Sequence, residues 1–125
     1  GPDCILRGVI EKMTLADIAR ELELVARTGS DRMHVEVKRG YASDLMSDVI
    51  GNAREGALWV TMQTHQNIVA VAVMKSLACI ILVNGREPEE ATVKKAELEG
   101  IPILISKMPA FELVGRLFGM GISGT

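Results

Sequence analysis

Three short polar clusters hold most of the side chains able to do chemistry in this sequence. They are Thr64, His65 and Asn67, then Asn84, Gly85 and Arg86, then Ser106 and Lys107. Together they offer hydroxyl, amide and imidazole groups beside two cations. Such a set suits an anion, because charge-assisted hydrogen bonds from Arg or Lys to phosphate or carboxylate are the strong ones. Each residue also has a purely structural reading. Thr64 and Asn67 suit a helix cap. Gly85 suits a turn with positive φ. Arg86 can pair with Glu89 or Glu90 on the surface, and His65 can cap a helix or touch a ligand. A fourth group, Ser43, Asp44, Ser47 and Asp48, reads as a solvated helix face or as a metal or phosphate site. His65 with Asp44 or Asp48 is the one acid/base constellation on offer, and nothing in the sequence fixes their separation.

Other chemistries lack their residues. There is no Gly-x-x-x-x-Gly-Lys-Ser/Thr loop and no Gly-x-Gly-x-x-Gly after a strand, which excludes a P-loop kinase or ATPase. There is no Cys-x-x-Cys, and His34 and His65 are the two histidines, so no metal site is assigned. No catalytic residue and no cofactor are assigned either. Leu15 to Leu22 has the pattern of the first helix of a helix-turn-helix, but strand-like Leu24 to Arg27 follows where a second helix is required. Nucleic acid is therefore not an expected partner.

The chain is 125 residues long, with 14 basic and 16 acidic residues and a net charge of −2. That is one domain's worth of chain, with no basic arm for nucleic acid. Hydrophobic residues reach 48% while aromatics are 3%. The core must then be aliphatic, and disorder is excluded. The longest apolar run, Ile68 to Met74, is far short of the ~18–20 residues that span a membrane. No signal peptide is visible. Cys79 sits in an apolar run and is expected to be buried and reduced, which fits a cytoplasmic protein. Gly1-Pro2 looks like a protease scar, and residues 1–12 read as a tag remnant or leader before a single domain at 13–125.

These clusters need elements to position them. Thr14 with Asp17 forms a capping-box pattern, and Leu15, Ile18, Ala19 and Leu22 give the following helix one apolar face. Leu24 to Arg27 reads as a strand, and Thr28 to Asp31 as a turn. His34 to Tyr41 alternates like a strand with one wet face. Ser43 to Val49 is ambiguous, with the two Ser-Asp pairs sharing a face if it is helical. Then come a strand at Ala57–Met62, a helix at Asn67–Ser76, an apolar strand at Cys79–Val83, a helix at Pro88–Glu99 closed by Gly100, a strand at Ile101–Ile105, and a last helix opened by Pro109. Phe111, Val114, Leu117 and Phe118 are expected on its buried face.

Strands separated by helices in this way run parallel, and a strand apolar throughout is covered on both faces. The expected fold is α/β: a three-layer, mixed, largely parallel sheet with helices on both faces, the N-terminal helix and two strands adding to its edge. In such sheets ligands bind outside the carboxyl ends of the strands. The three polar clusters all fall at such ends, where helix N-termini favour an anion.

The run Val83-Asn84-Gly85-Arg86-Glu87-Pro88, then Glu99 to Leu104, then Ser106 to Glu112, resembles the DRTGG domain family. It is similar also to the N-terminal, non-catalytic domain of HPr kinase/phosphorylase. Gly40 to Asp48 and Ala57 to Thr61 fit small stand-alone members, so the likeness extends over 13–122. The Asp-Arg and Thr-Gly-Gly that name the family are replaced here by Thr64-His65-Gln66-Asn67 and Val83-Asn84-Gly85. The resemblance implies an HPr kinase N-terminal-domain-like fold and a regulatory rather than catalytic role. It implies a homodimer, and it implies relatives fused to CBS-domain pyrophosphatases, phosphotransacetylases and HPr kinases. Single-domain relatives occur in anaerobic bacteria beside hydrogenase and electron-transfer genes. The expectation is a sensory module binding a small anionic ligand, with a nucleotide among the candidates. The alternative is a pure protein-interaction module without a small ligand, which the gene context would link to hydrogenase or electron-transfer systems.

Overall fold

The computed structural model describes residues 13–125; the tag or leader reading of 1–12, Cys4 included, lies outside the described residues. Helix α1 (Leu15–Leu22) begins as its sequence requires. The Thr14 hydroxyl accepts from the Asp17 amide at 3.2 Å, and the Asp17 carboxylate accepts from the Thr14 amide at 3.0 Å. Strand β1 (Val25–Thr28) follows, then a 3-10 turn (Ser30–Arg32), β2 (Gly40–Ala42), α2 (Met46–Asn52) and β3 (Leu58–Thr61). The rest alternates regularly: α3 (Asn67–Met74), β4 (Cys79–Leu82), α4 (Glu90–Glu99), β5 (Ile103–Ile105) and α5 (Ala110–Gly119).

The five strands form one sheet in the order β1-β5-β4-β3-β2. Strands β2 to β5 are parallel neighbours, and β1 is antiparallel to β5. The two N-terminal strands therefore bracket the parallel core from opposite edges rather than extending one edge.

Successive side chains of each strand point to opposite faces, and the core divides accordingly. Leu58, Val60, Cys79, Ile81, Val83 and Leu104 pack with Leu15, Ile18, Leu113 and Leu117 of α1 and α5. Trp59, Ile80, Leu82, Ile103 and Ile105 pack with Val49, Ile68, Val69, Ala72 and Ala96 of α2, α3 and α4. The result is the expected three-layer sheet with helices on both faces.

Three expectations change. The segment His34–Tyr41 is not one strand. Its first half turns to the start of α1, where the Met13 carbonyl accepts from the Val37 amide at 2.7 Å, and ladder pairing begins only at Gly40. Asp44 precedes α2 and Asp48 lies within it, so the two Ser-Asp pairs do not share a helix face. In α5 the buried residues are Leu113 and Leu117, whereas Phe111 is 88% and Phe118 71% exposed. Of the four residues expected inside, Leu117 is buried, while Phe111, Val114 and Phe118 face out.

Candidate functional site

The three polar clusters come together at the carboxyl edge of the sheet, and backbone bonds stitch them into one surface. The Thr64 carbonyl, after β3, accepts from the Glu89 amide at 3.1 Å and the Thr92 hydroxyl at 2.7 Å. The Gly85 amide, after β4, donates to the Ser106 carbonyl at 2.7 Å, and the Asn84 amide donates to the Met108 carbonyl at 2.9 Å. Asn84 and Gly85 both take positive φ, 58° and 66°. Asn tolerates this region better than most residues and Gly occupies it freely. The turn therefore needs this pair for its shape.

The amides of that turn are consumed internally, since Arg86 N–H also donates to the Val83 carbonyl at 3.1 Å. Gly85 thus shapes the edge without presenting a phosphate cradle of backbone donors. Ser106 is fully buried, and its hydroxyl accepts from the Met108 amide at 3.1 Å. Its place is beneath the surface, fixing the turn that carries Lys107. Asn84, Arg86 and Lys107 are exposed, and among the described residues Arg86 and Lys107 form no ion pair; the surface pair of Arg86 with Glu89 or Glu90 does not form.

His65 is exposed, and its Nδ1 accepts from the Asn67 amide at 3.1 Å. The imidazole therefore caps the start of α3, and its Nε2 carries the proton and is left to donate outward. Thr64 contributes its carbonyl and is half-buried; Asn67 is exposed at the first position of α3. The acid/base pairing of His65 with Asp44 or Asp48 is not assembled. The Asp44 carboxylate accepts from the Thr61 hydroxyl at 2.8 Å and the Met62 amide at 2.7 Å, while Asp48 accepts from Tyr41 and Asn52. Neither bonds to His65. No group of three or more His, Cys, Asp or Glu is placed to hold a metal ion among the described residues.

Helices α4 and α5 both start at this edge without a side-chain cap. Their first amides are orphan donors at the positive end of each helix dipole. Glu89 and Glu90 already set negative charge at the α4 start, and Glu112 lies in the first turn of α5. Arg86 and Lys107 precede these helix starts in the loops that carry them and pair with none of these carboxylates.

One contact had no signal in the sequence. Arg27 of β1 grips Glu87 in a two-pronged pair, Nε to Oε1 at 2.6 Å and Nη2 to Oε2 at 2.7 Å, across sixty positions. This guanidinium holds the Glu87 carboxyl below the usual carboxylate range. The clasp ties the β4–α4 loop, with Arg86 on it, to the far edge strand. Hollows of about 280 and 360 Å³ lie around Arg32 and Gly100 at the opposite edge of the sheet, and no candidate residue lines them. No helix among the described residues is long and apolar enough to cross a membrane.

No protein-family model matches the sequence, and no curated protein matches it. A solved structure does match the fold: the CBS and DRTGG domains of the regulatory region of Clostridium perfringens pyrophosphatase, complexed with the activator diadenosine tetraphosphate. The TM-score is 0.71 at 13% identity, covering 99% of this chain and 58% of that one. The chain thus spans little more than half the length of the protein it matches. At this identity the likeness establishes a shared α/β fold, and that fold agrees with the DRTGG resemblance read from the sequence.

Proposed function

We infer that this chain is a non-catalytic regulatory module that takes a small anionic ligand at the carboxyl edge of its sheet and acts through a dimer or a partner protein. The observation that carries the reading is the coincidence, on one edge, of two uncapped helix starts with Arg86 and Lys107, two cations without an ion pair among the described residues. Exposed Asn84, Asn67 and the outward Nε2–H of His65 supply the neutral donors, Thr64 flanks them, and Gly85 and Ser106 shape the surface beneath. The ligand class is a nucleotide or other phosphate ester. The structurally similar regulatory region is complexed with a dinucleotide activator, which puts adenine nucleotides first among the probes. The mechanism is a population shift, in which ligand favours one of two states of the assembly.

A thermal-shift panel tests this, with AMP, ADP, ATP, GTP, diadenosine polyphosphates, NAD(H), acetyl phosphate and phosphate. A ligand at about 100 times its dissociation constant adds ~2.7 kcal/mol, or roughly 10 °C for a domain of this size. Arg86→Ala and Lys107→Ala should abolish the shift while leaving the ligand-free melting point alone. His65→Ala should lower that melting point as well, because its ring caps α3. Absence of a shift with every probe sinks the ligand reading.

A second reading, a protein-interaction module without a small ligand, is favoured by the exposed apolar stripe on α5. It predicts no thermal shift but retained self- or partner association.

A further inference from the structure

We propose that residues 5–10 form a strap that packs into the apolar groove between α5 and β2, so that the segment read as a leader belongs to the folded domain. The groove measures about 310 Å³ and is walled by Tyr41, Ala42, Val60, Leu117, Phe118 and Ile122. Its near end is floored by the bare backbone of Gly40, where a Cβ would stand 3.0 Å from Leu58 Cδ1. Phe118 on its rim is 71% exposed and Val114 is 39% exposed. Contiguous apolar surface of this kind marks a docking site.

The backbone at Met13 aims the segment there. Thr14 and Glu36 form an antiparallel bridge, and the Met13 carbonyl accepts from the Val37 amide at 2.7 Å. Followed backwards from Thr14, the chain therefore runs the way that leads from Glu36 to Gly40. On that side of the strand the next place is taken, because the Leu58 amide donates to the Arg39 carbonyl at 3.0 Å and β3 begins. The backbone must leave the plane of the sheet at this point. Met13 sets the direction: it packs on the core that also holds Leu58, Val60, Leu117 and Ile122, the residues that line the groove. From Val37 to Gly40 is about 10 Å of strand, and three residues back from Met13 reach about as far. Ile10 thus arrives at the bare Gly40 floor.

The residues that arrive are apolar. Ile5, Leu6, Val9 and Ile10 fall in two pairs four positions apart, separated by Arg7 and Gly8. Left in water, four branched aliphatic side chains forfeit the main favourable term open to so short a segment. In the groove they cover Val114 and Phe118 of α5 and Ala42 of β2. A protein that sought Phe118 would have to displace the strap first, so the segment is a built-in competitor for the surface a partner would use. The inference stands apart from the anionic ligand, whose edge lies at the start of α5 rather than beside its second half.

Cys4 supplies the probe, because Cys79 is fully buried and a nitroxide reagent is directed to Cys4. With the full chain labelled there, the amide signals of Ala42, Phe118, Ser123 and Gly124 should broaden most. Those of Met74 and Leu98, on the opposite face, should stay sharp. Reducing the nitroxide should restore every signal. Ile10→Asp and Leu6→Asp should each abolish the broadening and lower the melting temperature by about 5 °C, while the signals of the opposite face keep their positions. Broadening spread evenly over both faces overturns the proposal, and so does broadening that survives both substitutions. Mixing nitroxide-labelled chain that carries no isotope with isotope-labelled chain that carries no nitroxide separates the remaining case. Sharp groove signals in that mixture place the contact within one chain. Broadened ones place the segment of a second copy in the groove and overturn it.

Discussion

Thr28 should be worth more to this fold as a hydrogen-bonding group than as an apolar one, and the two contributions can be separated. It sits at the irregularity in the β1–β5 ladder and is 4% exposed. Its hydroxyl donates to the Ile101 carbonyl at 2.7 Å and accepts from the Ile103 amide at 2.9 Å. One side chain thus replaces the ladder bonds that the bulge forfeits. Thr28→Val keeps the shape and strands both backbone groups in a buried site. Each stranded group costs about 1–3 kcal/mol, so the substitution should cost about 3 kcal/mol, allowing a fraction for the added methyl surface. Thr28→Ser keeps both bonds and loses one methyl, about 1 kcal/mol. At a urea slope near 1.5 kcal/mol/M the midpoints should fall by about 2 M and about 0.7 M. The assay is built in, because Trp59 is the single tryptophan and is fully buried, so its fluorescence reports unfolding. A valine variant as stable as the serine variant would show that water or a shifted backbone satisfies Ile101 and Ile103, and would refute the accounting.

Cys79 is fully buried, and desolvation pushes its thiol well above the usual range. In a Cys4→Ser background it should resist a thiol reagent at pH 8 and react on addition of urea; fast labelling of the folded protein would contradict the packing. Asp17 is held below the ordinary aspartate value of about 3.9 by the Thr14 amide first, then by Arg20 and the Thr14 hydroxyl. Its folded value is depressed, so its contribution is present above the unfolded value and lost as pH falls through the folded one. Urea midpoints of wild type and Asp17→Asn should therefore differ at pH 7 and converge as pH falls below the ordinary aspartate range; a constant gap would mean that Asp17 acts by shape alone. Gly29 has φ 76°, and a Cβ there would lie 2.6 Å from the Pro102 backbone, whereas a Cβ at Gly85, φ 66°, meets nothing. Gly29→Ala should cost about 2–4 kcal/mol and Gly85→Ala about 1–2 kcal/mol in thermal unfolding; equal losses would mean that crowding at Pro102 is relieved without cost.

The layered fold was legible because its signals are local and agree. Cys79 to Val83 is apolar on both faces, Gly100 closes a helix at φ 70°, and Pro109 stands immediately before another. What stayed hidden depends on partners distant in sequence. The alternation of His34–Tyr41 is genuine, but Val37 spends it on the core beneath α1 rather than on a ladder. Asp44 looked like part of an acidic cluster and is a hook on the end of β3. Arg27 and Glu87 carry no mutual signal at a separation of sixty positions. In α5 the apolar positions are too many for periodicity to fix the phase. At about 100° per residue, residues 110, 111, 113, 114, 117 and 118 span an arc of about 160°, and the sheet takes its Leu113–Leu117 end, leaving Phe111 and Phe118 at the other. The carboxyl-edge cluster was legible as a place, because topology alone assembles it. Which members reach solvent was not, as buried Ser106 shows.

The unequal coverage of the two sheet faces connects these features. Helices α2, α3 and α4 fill one face, whereas α1 and α5 share the other and leave a groove beside β2. Helix α5 runs between the carboxyl edge and this groove. Its uncapped start lies at the cationic edge beside Lys107, and its exposed stripe begins at Phe111, within the first turn. An anion at that start would meet the same turn that carries the exposed Phe111. A ligand at that edge that favoured one assembly state would in turn bind that state more tightly, because coupling between two sites is reciprocal. Helix α5 is anchored by Leu113 and Leu117 and exposed on its other side, so its first turn joins the carboxyl edge to the apolar stripe.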